Sequence, residues 1–161
     1  MQPLFRSRWL TLTSALLLVA LASASPGFSR SADFGVRGGV YSEPDQTFVG
    51  AEALFDMTKT GRWFGNPNVE HMFMDTGDRD SFSFDFHYDF PTGNPYSFWV
   101  GAGPTLIHDE RNLPPGRDNN DAGMNLLFGV GAKTGNVRPY GQIKAVVAND
   151  DEVAVGVGVR F

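Results

Sequence analysis

The chain has 161 residues, a formal net charge of −5 and an isoelectric point near 5.0. It is long enough for one domain with its own core, and it has no basic character of the kind that binds nucleic acid. Cysteine is absent, which excludes disulfides, a thiol nucleophile and cysteine-ligated metals. Nineteen glycines, fourteen phenylalanines and only 19% charged residues favour an all-β fold.

The N-terminal segment has the pattern of a secretory signal peptide. Arg6 and Arg8 precede an apolar run over residues 9–21, and the small residues Ala22, Ser23 and Ala24 follow it. The run is shorter than the ~20 apolar residues that a transmembrane helix needs. We therefore expect residues 1–24 to be cleaved and residues 25–161 to form a single domain. Export of a cysteine-free chain fits the bacterial envelope.

From residue 32 onward the chain divides into eight segments in which apolar residues alternate with polar or small ones. This period of two is typical of a β-strand whose two faces meet different surroundings. On one face of the fourth segment every residue is aromatic, and polar residues lie between them. Such an aromatic face needs either lipid or a second apolar sheet against it. The predicted strands cover residues 32–41, 48–57, 63–74, 81–90, 96–108, 123–133, 137–147 and 151–161.

The connections between these segments are of two kinds. The second, fourth and sixth are short, and each contains a Thr-Gly pair suited to a tight turn. The other four are acidic, and the residues beside the short turns include outward aromatics that predict a girdle at a membrane interface. Two prolines inside segments, Pro67 and Pro104, predict bulges or shortened strands. The predicted girdle consists of Trp63, Tyr88, Phe90, Tyr96, Phe98 and Phe161.

The last segment alternates without a break, and it resembles the closing strand of bacterial outer-membrane barrels. Its apolar positions are Val153, Val155, Val157, Val159 and Phe161. With the signal peptide and the eight segments, the chain is similar to the small eight-stranded outer-membrane barrel superfamily, which includes OmpX, OmpW and the barrel domain of OmpA. The resemblance implies an antiparallel up-and-down transmembrane barrel in the outer membrane, with no cofactor. It also implies contact with outer-membrane lipid and assembly by the barrel-insertion machinery, with the five apolar positions as the assembly signal. We expect a monomer.

The alternation also predicts which charged residues face the interior. An eight-stranded barrel is just wide enough for side chains to fill it, and buried charges must be paired. We therefore predict a closed interior with a charge network, and a proton or ion path is the alternative. The predicted network consists of Arg37, Glu52, Asp56, Glu70, Asp85, Asp89, Lys133, Arg138, Lys144 and Arg160.

Ser83, Asp85 and His87 share one face of the fourth segment and are the residue types of a hydrolase triad. At about 3.3 Å per residue, Ser83 and His87 lie roughly 13 Å apart, which argues against a triad. His71 falls on the outward face, which indicates an error of register rather than a ligand, and the acidic loops lack calcium-site spacing.

The sequence thus predicts a non-enzymatic outer-membrane barrel that is structural or interacts through acidic outer loops. Three alternatives stay open: a barrel enzyme that modifies envelope lipids, a narrow channel for small solutes, and a soluble periplasmic barrel that holds an apolar ligand and reverses every assignment of inside and outside.

Overall fold

The computed structural model describes residues 32–42, 46–74, 77–109 and 119–161. They form a closed barrel in which each strand pairs antiparallel with the next and β8 pairs with β1, so the predicted fold class is confirmed. The strands are β1 (Asp33–Tyr41), β2 (Thr47–Asp56), β3 (Trp63–Met74), β4 (Gly77–Asp89), β5 (Tyr96–Asp109), β6 (Asn120–Ala132), β7 (Arg138–Val147) and β8 (Glu152–Arg160).

Some predicted features lie outside the described residues. These are the signal peptide, residues 1–24, and the loop positions 43–45, 75–76 and 110–118. Within the described part of the chain, no helix is long and apolar enough to cross a membrane.

The barrel has two distinct ends. The turn end carries the β2–β3, β4–β5 and β6–β7 connections, and the loop end carries the other connections. Tight turning at the turn end uses glycines with positive φ, namely Gly61 at 60° and Gly135 at 116°. The predicted girdle aromatics lie on the outer face at this end, where Trp63 packs on Tyr88 with ring centroids 5.1 Å apart.

Side chains alternate between the barrel interior and its outer face as the sequence predicts. On β4, Ser83 and Asp85 are fully buried, whereas Phe82 and Phe86 are 37% and 40% exposed. On β8, Val157 is 69% exposed, while Ala154 is buried. Charged and polar side chains face the interior together with several apolar ones, and apolar side chains cover the outside.

The strands extend further toward the loop end than the sequence predicts. β4 begins at Gly77 and β6 at Asn120, so several acids expected in outer loops belong to strands. Local acidic composition indicated loops there, but pairing with neighbouring strands continues through these residues. The acids placed in strands are Asp78, Asp80, Asp109 and Asp121.

The bulge predicted at Pro67 is absent. The β2–β3 register is the same on both sides of this proline, with Glu52 opposite Asn68 and Phe55 opposite Gly65. Proline has no N–H to donate to the neighbouring strand. The side-chain amide of Asn66 instead donates to the Ala53 carbonyl at 3.2 Å. The strand therefore continues in register without the backbone hydrogen bond.

The strand also continues through Pro104. The β4–β5 register is unchanged across it, with Ser83 opposite Thr105 and Phe86 opposite Ala102. The preceding residue, Gly103, approaches the β4 backbone so closely that a Cβ there would collide with the Phe84 carbonyl. A glycine next to the proline thus lets the two strands stay together.

Candidate functional site

The middle of the barrel interior contains a network of ion pairs. Arg37 Nη2 lies 2.8 Å from Glu70 Oε1, and Arg37 Nη1 lies 3.5 Å from Glu52 Oε2. Lys144 pairs with the other oxygen of Glu70, and Arg160 Nε donates to Glu52 Oε1 at 2.7 Å. All five side chains are at most 9% exposed. We call these five residues the central network.

Amide side chains connect the central network to a further buried carboxylate. Asn68 accepts a hydrogen bond from Arg37 and donates to Asp85 Oδ2 at 2.8 Å. Asn125 donates to the other oxygen, Asp85 Oδ1, at 3.0 Å. Each carboxylate oxygen of Asp85 therefore accepts a hydrogen bond from an amide. Both acceptors of this buried group are thus satisfied, as is usual for buried polar groups.

An aromatic layer closes the interior on the turn-end side of this network. The guanidinium of Arg160 lies over Tyr140 and Trp99, at 4.3 and 5.0 Å from the ring centroids. His87 stacks on Trp99 with centroids 6.2 Å apart. The indole packs directly on Gly129, where a Cβ would collide with the ring. Large rings over glycines thus fill the width of the barrel.

Two successive layers of side chains close the interior on its loop-end side. Apolar side chains of Tyr41, Phe48, Met72, Val146 and Ala154 pack together in the interior. Beyond Ala154 along β8, Glu152 accepts a hydrogen bond from Arg79 Nη1 at 2.7 Å, and Asp109 lies 3.5 Å from the same guanidinium. Both pairs are buried, so an ion cluster lies above the apolar layer.

Little free volume remains between these layers. A cavity beside Lys144 and Gln142 has a volume of about 10 Å³. That is close to the smallest volume that holds one water molecule. The described interior is thus a packed core of charged and aromatic side chains.

No known protein family matches the chain, and no curated protein matches it. Several solved structures are similar to it in fold. The N-terminal β-barrel domain of OprF from Pseudomonas aeruginosa has a TM-score of 0.68 and 17% sequence identity, over 81% of this chain and 95% of that one. Neisserial surface protein A has a TM-score of 0.60 and 18% identity, over 80% and 94%. The chain has the fold of the small eight-stranded outer-membrane barrels.

Within this outer-membrane barrel fold, six of the ten charges predicted for the interior are buried: Arg37, Glu52, Glu70, Asp85, Lys144 and Arg160. The other four lie at the turn end. Arg138 pairs with Asp33 at the mouth, where both side chains are partly exposed. Asp56 and Asp89 are the last residues of β2 and β4 and are half-buried, and Lys133 follows β6 and is exposed. Lys133 therefore does not join the network, because its strand ends one residue earlier.

Sequence reasoning missed two parts of the interior of this barrel. The first is the cluster of Arg79, Asp109 and Glu152, of which Arg79 and Asp109 were assigned to loops because of their acidic neighbours. The alternation did indicate that Arg79 faces the interior, because it lies two residues before Ser81 on the same face of β4. The amides that complete the network had no signal beyond their inward position, because an asparagine there fits a solvated strand equally well.

The triad residue types do not assemble into a catalytic group. Ser83 donates its hydroxyl hydrogen bond to Thr105 at 2.9 Å, and Asp85 accepts from two amides. His87 lies further along the strand against Trp99. Among the described residues, no group of three or more His, Asp or Glu side chains could hold a metal ion.

Proposed function

We propose that this chain is a small outer-membrane protein that spans the bilayer as a barrel with a closed interior and has no enzymatic activity. It acts as a structural element of the membrane or through contacts made at the loop end. The observation that carries this proposal is an apolar outer face around a packed interior of paired charges.

The outer face supports membrane insertion on energetic grounds. Large apolar side chains there are about half exposed, including Leu126 at 54%, Phe128 at 50% and Val155 at 52%. Monomeric soluble proteins rarely expose such a large continuous apolar surface. Lipid chains provide the missing apolar surroundings, and the outward aromatics at the turn end fit the interface with the headgroups. The lipid of the outer membrane is thus the first proposed partner.

The assembly signal belongs to the same proposal. Val153, Val155 and Val157 are exposed on the outer face of β8, and Phe161 follows at 57% exposed. An apolar ridge of this kind on the closing strand is what we expect the barrel-insertion machinery to recognise. We further propose that the folded protein is a monomer, with the bilayer as the only cover of its apolar face.

The loop end offers an ordered surface for contacts with other molecules. The β7–β8 connection is held against β6, because Asn149 donates to both carboxylate oxygens of Asp121, at 3.1 and 2.8 Å. Within the same connection the backbone N–H of Ala148 donates to Asp151 at 3.2 Å. A connection fixed in this way presents a defined acidic surface.

The structure favours this proposal over the alternatives. A soluble barrel with an apolar ligand needs an apolar interior, and the interior here holds ion pairs. A lipid-modifying enzyme needs a nucleophile within reach of a base, and Ser83 bonds to Thr105 instead. A channel needs a continuous path, and Trp99 with Tyr140 lies across it.

The two tryptophans of the predicted mature chain test the orientation directly. Trp63 lies on the outer face and is 47% exposed, whereas Trp99 points inward and is 1% exposed. The protein should be folded into vesicles whose lipids carry bromine near the headgroup, since bromine quenches tryptophan fluorescence on contact. We expect strong quenching of the Trp99→Phe variant, which keeps only Trp63, and weak quenching of the Trp63→Phe variant.

Vesicles without bromine provide the baseline for each variant. Quenching of Trp99 rather than Trp63 would reverse inside and outside and would contradict the proposal. So would recovery of the folded protein in a soluble fraction without detergent.

A further inference from the structure

Polar side chains interrupt the apolar outer face at one place near the loop end. His71 on β3, Asp80 on β4, His108 on β5 and Asn120 on β6 all point outward. Each is the direct register partner of the next across the sheet. We call these four residues the polar row.

The polar row is arranged as two hydrogen-bonded pairs. His71 Nδ1 lies 2.7 Å from Asp80 Oδ1, and His108 Nδ1 lies 2.8 Å from Asn120 Oδ1. The side chains of His71 and Asp80 remain 39% and 41% exposed. Each imidazole thus uses Nδ1 within the row, and His71 Nε2 also lies 4.0 Å from Asp78 Oδ2, so the row extends toward a second carboxylate.

The polar row lies directly beside the apolar part of the outer face. One step toward the turn end, the next outward residues on the same four strands are Val69, Phe82, Leu106 and Ala122, which are again register partners. Leu106 is 61% exposed. Polar side chains are costly in hydrocarbon. The row therefore lies where lipid chains end and their headgroups begin.

The row occupies only one side of the barrel. On the opposite wall the outward residues nearest the loop end are apolar, with Val147, Val153 and Val40 exposed by 49%, 44% and 53%. A simple membrane boundary would require polar residues around the whole rim. The imidazole, carboxylate and amide groups of the row lie on β3–β6, whereas the outward polar residue nearest the loop end on β2 is Thr47. This uneven distribution indicates a localised binding surface.

We propose that the polar row binds the hydroxyl-rich saccharide headgroups of glycolipids in the surrounding leaflet. Because the row continues the lipid-facing surface, its occupant is the polar end of the same lipids. Carboxylate, amide and imidazole groups together both donate and accept, which matches sugar hydroxyls. None of the four side chains of the row is an arginine or lysine, the side chains that recognise a bare phosphate best.

This inference rests on the proposed membrane placement, and its test uses two lipids. The full protein in detergent micelles is titrated with a glucosyl diacylglycerol or with phosphatidylglycerol, and the thermal unfolding midpoint is followed by circular dichroism. We expect the glucosyl lipid to raise the midpoint of the wild type. The variant His71→Ala/Asp80→Ala/His108→Ala/Asn120→Ala should need about tenfold more of this lipid for the same rise.

The matched control is Val40→Ala/Val147→Ala on the opposite wall, which should respond as the wild type does. If the fourfold variant folds poorly, His108→Ala/Asn120→Ala alone should show the same direction of change. An equal response of wild type and variant to the glucosyl lipid would overturn the inference. A difference seen only with phosphatidylglycerol would also overturn it, by assigning the row to phosphate. Neither result affects the tryptophan test, which decides the membrane placement separately.

Discussion

At the scale of single residues, the central network determines how the interior responds to substitution. Each charge in it has an opposite charge within 3.5 Å, and its members come from β1, β2, β3, β7 and β8. Removing one member of a buried ion pair costs more than the pair contributes, because the remaining charge is left without a partner in a dry site. The pairs at the turn-end mouth are partly exposed, and water can replace a lost partner there.

We predict that Glu52→Ala lowers the free energy of unfolding by about 3–5 kcal/mol, because it leaves Arg160 buried without a carboxylate. Arg160→Ala should cost less, because Arg37 still lies 3.5 Å from Glu52. The double variant should lose less than the sum, because it leaves neither partner alone. Urea unfolding from lipid vesicles, followed by tryptophan fluorescence, measures all three values. Arg138→Ala is the control, since its pair with Asp33 is partly exposed and should contribute no more than about 1 kcal/mol. Losses below about 1 kcal/mol for both buried single variants would mean that water screens the interior charges.

The sequence predicts the inward face of these residues but not their partners. Alternation places Arg37, Glu52, Lys144 and Arg160 inside, because a period of two decides the face of a strand. The pairs join residues far apart in the chain, such as Lys144 with Glu70, 74 positions away, and Arg160 with Glu52, 108 away. Which of them meet depends on the stagger of the closed barrel, and this is a property of all eight strands together.

At the scale of elements, β3 and β5 show how strands tolerate prolines. The sequence argument assumed that a missing donor distorts the sheet. In β3 the amide of Asn66 supplies a donor to the Ala53 carbonyl, and in β5 a glycine permits close approach. Neither compensation can be read from composition, because both depend on which residue of the neighbouring strand lies opposite. The starts of β4 at Gly77 and of β6 at Asn120 were not predicted, for the same reason.

We predict that Asn66→Ala lowers the free energy of unfolding by about 1–3 kcal/mol, because it leaves the Ala53 carbonyl buried without a donor. Adding Pro67→Ala should recover part of this loss, since the restored backbone N–H can donate to that carbonyl. Recovery should be incomplete, because Asn66 also donates to Glu52 at 3.2 Å. The same urea titration measures both variants, with Pro67→Ala alone as the control. If Pro67→Ala gives no recovery in the Asn66→Ala background, the proposed compensation is wrong.

At the scale of the whole molecule, the fold was predictable because the alternation continues over nearly every strand. Eight repeats of one weak signal, with short connections at one end, leave few arrangements other than a closed barrel. The closure of the interior was harder to predict, since the sequence favoured a charge-filled core but left an ion path as the alternative. The layers formed by Arg79, Phe48, Lys144 and Trp99 at successive heights support the proposal of a core.

The final prediction is that the purified protein carries no sustained ion current in a planar bilayer. An ion would have to pass the Arg79 cluster, the apolar layer around Phe48, the central network and the rings of Trp99 and Tyr140. Moving a charge through such a core requires separating buried ion pairs, which costs several kcal/mol for each pair, on the order of 3–5. An open porin inserted in the same bilayer provides the positive control. A steady single-channel conductance of the wild type, altered by Lys144→Glu, would contradict the closed interior and make small-solute passage the better proposal.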